Sequence, residues 1–434
     1  MVLRSGHALG RAPSFKLRLS MHTVQVFVIL VLFISFHMYG VGVIEFFGLS
    51  IAPWDWTVLG LVFLWVILLP YRPLRIRRNF VPALILALFF TLLLAISAFR
   101  SPQPERALTM ILLQLRNLVL LLFIGTWFSD VNMLGSLNRK LFWIGGIIAS
   151  FAVLMYVSAL TRYSEILSNP SQWKPGIGYI LDQGGVLRLI GFARDPNFYS
   201  LWVAPSFLAG LSLTFSPLRL VMMIIIIGIS LVLAMSRGFA LAFSISTVIL
   251  IVALLAIRRR SVYVKRLVGA ATISAIIAIA LTSVIGYDFS SMLEKRIELI
   301  SQSPRYAMWH QILGEMSETR NPLIGAGLRG AEEILKGAYS HNSYLDVLFE
   351  TGLVGFLIWI FLISYTTMCA LKRIKYQEWL PWIHSWFILL VMFVFFSLVY
   401  HPFTWLLIGI LAASPFRQQH GVYLVNQENR SDKL

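Results

Sequence analysis

The sequence predicts an all-α fold, a polytopic transmembrane bundle of about twelve spans with a large, partly helical loop on one side. Three observations predict it. Of 434 residues, 58% are hydrophobic and only 13% are charged, and the mean hydropathy is +0.79, more apolar than a water-soluble domain of this length needs for its core. Apolar runs of roughly 17–22 residues recur along the whole chain, each long enough to cross about 30 Å of hydrocarbon at ~1.5 Å per residue. Lipid offers no partner for an unpaired backbone amide, so such runs must be helices.

Taken in order, the spans are expected near residues 23–44, 54–70, 80–98, 107–128, 140–160, 198–215, 219–235, 239–257, 267–285, 344–370, 381–399 and 403–415. The basic flank ahead of the first (Arg4, Arg11, Lys16, Arg18) is followed by no small-residue cleavage site, so that span is read as retained. With the N-terminus in the cytoplasm, 22 of the 36 lysines and arginines fall in cytoplasmic segments, 13 outside, and Arg116 alone within a span. The clusters Arg72/Arg75/Arg77/Arg78 and Arg258/Arg259/Arg260/Lys265/Arg266 have no outside equivalent in density. The positive-inside rule then puts both termini in the cytoplasm. The net charge of +17 reports this topology; the basic residues form short runs between apolar segments and make no stripe for nucleic acid. The one cysteine, Cys369, ends an apolar run and gives neither a disulfide framework nor a thiolate metal site.

The chain is thus divided into residues 1–285, nine spans with an outside loop at 161–197; a large outside loop at 286–343; three spans within 344–415; and a cytoplasmic tail at 416–434. The second loop is the only stretch of ordinary soluble composition, and its segments 293–299 and 307–316 are expected to form short helices at the membrane surface. No internal repeat stands out, which counts against transporters built from inverted repeats.

The chemistry is expected outside, where the long loops are. His341 begins a segment in which positions 341, 345, 348, 352 and 355 follow one helix face, so that a histidine crowns a face ending in two glycines. Such an imidazole can exchange a proton near neutral pH, although an interfacial histidine capping a helix is the plain alternative. Asp346 and Glu350 follow one turn apart, costly in lipid and read either as functional or as members of a buried ion pair that holds helices in register.

Three arginines converge on the same side. Arg188 and Arg194 lie in the stretch that ends Asp195-Pro196-Asn197, and Arg237 interrupts an apolar hairpin in Ser236-Arg237-Gly238. A guanidinium stays charged and donates in a planar fork suited to phosphate; neutralising lipid headgroups is the alternative for Arg188 and Arg194. Arg305, Arg106 and Arg116 are further basic candidates, the last two as partners of Glu350 or as side chains snorkelling outward. Residues 321–327 look like a tight turn and lack the Gly-Lys-Ser/Thr of a phosphate-cradling loop. His37 and His401 read as structural or interfacial, and the thirteen tryptophans as interface belts and packing.

In order, these are an Arg-x-x-Gly…Asp-Pro-Asn stretch (188–197), Ser236-Arg237-Gly238, Arg305-x-x-x-Trp309, Asn321-Pro322-Leu323-x-Gly325-x-Gly327 and His341-Asn342-x-x-Leu345-x-x-Leu348-x-Glu350-x-Gly352-x-x-Gly355. Over roughly residues 185–360 the chain resembles the bacterial O-antigen ligase and polymerase superfamily. The resemblance implies a multi-pass protein of the inner membrane whose active face is periplasmic. It implies an undecaprenyl-diphosphate-linked glycan as donor, a lipid A core or growing glycan as acceptor, and membrane lipids as partners, with no metal, cofactor, nucleotide sugar or nucleic acid. On that reading Arg188, Arg194 and Arg237 bind the donor diphosphate. His341 serves the acceptor as base or the diphosphate as cation, with Arg305, Glu350 and Arg116 in support. Ligase and polymerase are both open, as are an exopolysaccharide polymerase and a protein O-oligosaccharyltransferase. Outside the family a secondary transporter of twelve spans is the rival, with an inert scaffold third.

Overall fold

The computed structural model describes residues 21–38, 44–46, 49–68, 76–127, 132–162, 178–182, 186–213, 218–258, 262–284, 294, 304–318 and 322–413. The helices are α1 (Met21–His37), α2 (Pro53–Leu68), α3 (Val81–Ala98), α4 (Pro104–Trp127), α5 (Asn132–Leu160), α6 (Pro196–Ser212), α7 (Leu218–Leu233), α8 (Arg237–Ala256), α9 (Val262–Val284), α10 (Arg305–Glu318), α11 (Gly330–Ile334), α12 (Ser343–Leu371), α13 (Leu380–Met392) and α14 (Pro402–Ala413). Two antiparallel hairpins interrupt them, β1 (Ile44–Phe46) with β2 (Leu49–Ile51) and β3 (Gly178–Asp182) with β4 (Val186–Gly191). The chain is a multi-pass membrane protein, and every apolar run expected to span has a helix.

Six of these helices, α3, α4, α5, α8, α9 and α12, are long and apolar enough to cross a membrane. Their outward faces carry large apolar side chains with no protein cover, among them Leu241, Val248, Val252 and Leu255 on α8 and Val268, Ile273 and Ile276 on α9. Such faces are solvated by lipid. The shorter α6, α13 and α14 are the reverse: nearly every residue of Tyr199 to Leu211, Leu380 to Leu389 and Pro402 to Ala413 is buried. A helix enclosed by other helices need not cover the whole membrane thickness, because protein shields the irregular backbone at its ends. The expected span at 381–399 is shorter as a helix for this reason, ending at Met392; that at 23–44 is helical from Met21 to His37, and residues 39–43 lie outside the described residues.

The two ends of the bundle differ in their polar chemistry. At one end basic side chains cap helix C-termini: Arg266 donates to the carbonyls of Leu211 and Leu213, and Arg373 to those of Cys369 and Leu411. This satisfies terminal carbonyls and places positive charge at the negative end of the dipole. The opposite end gathers β4, the start of α6, the α7–α8 turn, α10, α11 and the start of α12. Of the two surface helices expected in the second long loop, residues 305–318 form α10, whereas 293–299 lie outside the described residues except Glu294.

One expectation is corrected. The regular spacing of positions 341, 345, 348, 352 and 355 does not run as one helix face. His341 precedes the helix cap in a left-handed conformation (φ 55°), and α12 breaks at Gly352 (φ 68°, ψ −171°). The segment 322–328 lies against the break and takes up its free backbone groups. Ala326 N–H donates to Phe349 O at 2.8 Å and Gly327 N–H to Glu350 O at 3.2 Å, while Leu353 and Val354 N–H donate to Pro322 O and Leu323 O at 3.0 and 3.2 Å. Of the two glycines expected to admit a neighbouring helix, Gly352 admits a loop, while Gly355 lies against the side chain of Thr351 on its own helix. A Cβ on Gly352 would lie 2.4 Å from Gly325 N, and one on Gly325 the same distance from Gly352 N.

Candidate functional site

The site is built outward from β4. In the β3–β4 hairpin Arg188 lies opposite Ile180. Its side chain is buried (6% exposed) and its Nε donates to Ala234 O at 3.2 Å, one residue past the C-terminus of α7. A guanidinium is well placed there, at the negative end of a helix dipole.

After β4 the chain turns at Gly191 and enters α6 through Asp195 and Pro196. Asp195 is the N-cap: its Oδ1 accepts from Asn197 N at 2.7 Å and Phe198 N at 3.2 Å, with proline at the first helical position. The Asn197 side chain donates to the same oxygen at 2.8 Å and accepts from Ser236 Oγ at 2.5 Å. Ser236 in turn caps α8, accepting from Phe239 N at 3.1 Å. The Asp-Pro-Asn and Ser-Arg-Gly motifs thus lock the starts of α6 and α8 together. Arg194 is exposed and Arg237 half-exposed, each directly beside this lock.

Arg305 opens α10 and places its guanidinium 5.2 Å over the Phe396 ring. His341 meets the edge of the same ring, centroids 6.3 Å apart, and Phe198 packs against it at 6.2 Å. Phe396 is therefore a shared floor for the cation and the imidazole. Burial holds the His341 imidazole below its ordinary pKa, the positive charge of Arg305 adds to this, and Asp195 opposes it. Burial also lowers Arg305, which the Asp195 carboxylate offsets. The left-handed backbone of His341, a cost of about 1–2 kcal/mol for a residue with a Cβ, is bracketed by hydrogen bonds. Trp309 Nε1 donates to Ser340 O at 2.8 Å, and Asn342 Oδ1 caps α12 by accepting from Tyr344 and Leu345 N at 3.0 and 3.1 Å.

Arg188, Arg194, Arg237, Arg305 and His341 are thereby gathered at one end of the bundle, from four segments distant in sequence. Glu350 and Arg116 have different neighbours. Glu350 is buried and accepts from Arg329 N at 3.0 Å; Arg329 pairs with Glu332, and Glu332 with Arg106 at 2.8 Å. Arg116 pairs with Asp55 and donates to Tyr400 O at 3.0 Å. The expected alternatives of Arg116 or Arg106 pairing with Glu350 are corrected accordingly. The Arg116–Asp55 pair is a buried ion pair that ties α2 to α4, the plain reading of such groups, whereas Glu350 is held by a backbone N–H beside the Arg329–Glu332 pair.

Sequence reasoning quoted Asp195, Asn197 and Ser236 within motifs but gave them no role, and it missed Phe396, which sits in an apolar run that reads as a span. The cap pattern of Asp-Pro-Asn was the available signal for the first three.

The arrangement can do two things chemically. Fixed guanidinium groups can compensate an anion of high charge density, and a half-buried, neutral imidazole can accept a proton beside them. Among known proteins, residues 222–360 match the family model described as O-antigen ligase. The matched segment includes Ser236, Arg237, Arg305, His341 and Glu350, while Arg188 and Arg194 precede it. No curated protein matches the chain.

Proposed function

We propose that the chain transfers a glycan from undecaprenyl diphosphate to an acceptor hydroxyl at the periplasmic face of the inner membrane, a reading supported by the match of residues 222–360 to the family model described as O-antigen ligase. The acceptor is a lipid A core or a growing glycan. The observation that carries this reading is the convergence of Arg305 and His341 on Phe396, beside the Asp195–Asn197–Ser236 lock that carries Arg194 and Arg237. The charge count supports this face: the arginines of the site belong to the minority outside the basic clusters, and the capping residues Arg266 and Arg373 lie at the other end.

The proposed step is an inverting displacement. The acceptor oxygen attacks the anomeric carbon, the bond from that carbon to the diphosphate oxygen breaks, and undecaprenyl diphosphate leaves with the electron pair. Arg188, Arg194 and Arg237, supported by Arg305, meet the charge that grows on the leaving diphosphate. His341 takes the proton from the acceptor hydroxyl. Its lowered pKa supports the role of base over that of cation, since the neutral form is the one present at neutral pH.

This gives a signed pH dependence. A base with a depressed pKa keeps its activity as pH falls to the ordinary histidine range near ~6.5 and loses it only below. Arg305→Gln removes a charge that disfavours the imidazolium, so its acid limb should move to higher pH. The pH profile of kcat/KM checks both; a rate that rises on acidification would instead mark His341 as a cation on the diphosphate.

The break in α12 is the one feature that favours a transporter, since broken helices often form transporter sites. Here the freed backbone groups are taken up by the chain's own segment 322–328. Deletion of the gene in its host, followed by analysis of lipid-linked and transferred glycans, tests the function. Accumulation of undecaprenyl-diphosphate-linked glycan with loss of its transferred product is expected, and survival of core plus one repeat unit would mark a polymerase. Unchanged lipopolysaccharide, exopolysaccharide and glycoprotein would contradict the proposal.

A further inference from the structure

A histidine keeps a left-handed backbone only where its surroundings over-determine it, and around His341 the holding groups meet on Asp346. Ser340 Oγ accepts from Asn342 N at 2.9 Å, so the residues on either side of His341 are tied across it. The same hydroxyl donates to Asp346 Oδ1, and Asp346 Oδ2 accepts from Ser397 Oγ at 2.5 Å. Ser397 follows Phe396, the ring beneath both His341 and Arg305. One carboxylate therefore fastens the backbone flank of His341 and the loop that carries its aromatic floor. A carboxylate suits this place because it accepts from two hydroxyls and requires no donor site in return. The same two segments are joined a second time at Ser343, whose N–H donates to Phe393 O at 2.7 Å and whose Oγ donates to Phe396 O at 2.6 Å. This second tie is independent of Asp346, so the loop has an anchor when the carboxylate is removed.

We infer that Asp346 is a positioning residue for His341, touching no substrate and fixing the imidazole over Phe396 through Ser340 and Ser397. The inference rests on the proposed role of His341 as base. A displacement of about 1 Å at a reacting group costs on the order of 10² in rate. Asp346→Ala should therefore lower kcat per folded molecule by about that factor while KM for the lipid-linked donor stays within about threefold. Asp346→Asn should recover most of the loss, because its amide accepts from one serine and donates to the other once that hydroxyl turns. A residue that only supports the fold would lower the folded yield and leave kcat per folded molecule unaltered.

The experiment uses the full-length chain in detergent micelles and proteoliposomes. Alongside kinetics, the rate at which diethyl pyrocarbonate modifies His341, read by mass spectrometry of its peptide, needs no glycan. It should change in Asp346→Ala and return toward the wild-type rate in Asp346→Asn. An unchanged modification rate overturns the inference, as does a kcat per folded molecule equal to that of the wild type. If the wild type transfers no glycan, the proposed function fails, and the modification rates still decide whether Asp346 positions His341.

Discussion

Replacing His341 with alanine should slow the proposed glycan transfer by about 10²–10⁴, the contribution of a positioned general base. The chain should still insert and fold, because the imidazole contributes only an edge contact with Phe396 and lies outside the cap of α12. His341→Asn separates chemistry from backbone. Asparagine is among the few residues that accept the left-handed conformation readily, so it preserves the φ of 55° that alanine resists. Both variants should lose activity alike, with the asparagine protein at least as stable as the alanine one. Initial rates from a purified lipid-linked donor, normalised to folded protein by size-exclusion chromatography, make the comparison. Full activity in His341→Asn would remove the base from the mechanism.

Gly352→Ala acts on the fold and should prevent accumulation of the protein. The conformation at φ 68° and ψ −171° is open almost only to glycine. An added Cβ would also lie 2.4 Å from Gly325 N and from Leu323 C and 2.5 Å from Ile324 N, all backbone atoms that cannot turn aside. Strain of about 1–3 kcal/mol from the dihedrals and about 1–3 kcal/mol from overpacking together lower the folded-to-unfolded ratio on the order of a thousandfold. The yield of monodisperse protein and its melting temperature in detergent measure this. Gly269→Ala on α9, where a Cβ meets nothing within 4 Å, is the matched control and should behave as wild type.

What the sequence carries and what it hides follow from the range of the interactions involved. Each apolar run yields a helix because hydropathy and backbone satisfaction are local constraints. The break at Gly352 is hidden because position 352 fits the helical repeat as well as position 348 does. Only the approach of residues 322–328, whose own turn was legible from Asn-Pro and its glycines, gives the glycine its conformation. The strands β3 and β4 lie in a stretch that reads as an outside loop, although Val186-Leu187-Arg188-Leu189-Ile190 is rich in strand formers. The pairing of Arg116 with Asp55 joins two helices through residues 61 positions apart in sequence, and nothing in either local pattern announces it. The gathering of arginines with His341 was legible as a shared side of the membrane. Its aromatic floor was not, since Phe396 is one phenylalanine among several in an apolar run.

The proposed transfer is metal-free and driven by arginine and histidine side chains. The most direct measurement is glycan transfer by the purified protein in proteoliposomes, with an undecaprenyl-diphosphate-linked donor, an acceptor glycolipid, a chelator present and no ion gradient. A new glycosidic product is expected, with undecaprenyl diphosphate released in equal amount. Movement of the donor without a new bond, or transfer that requires an added divalent ion, would contradict it.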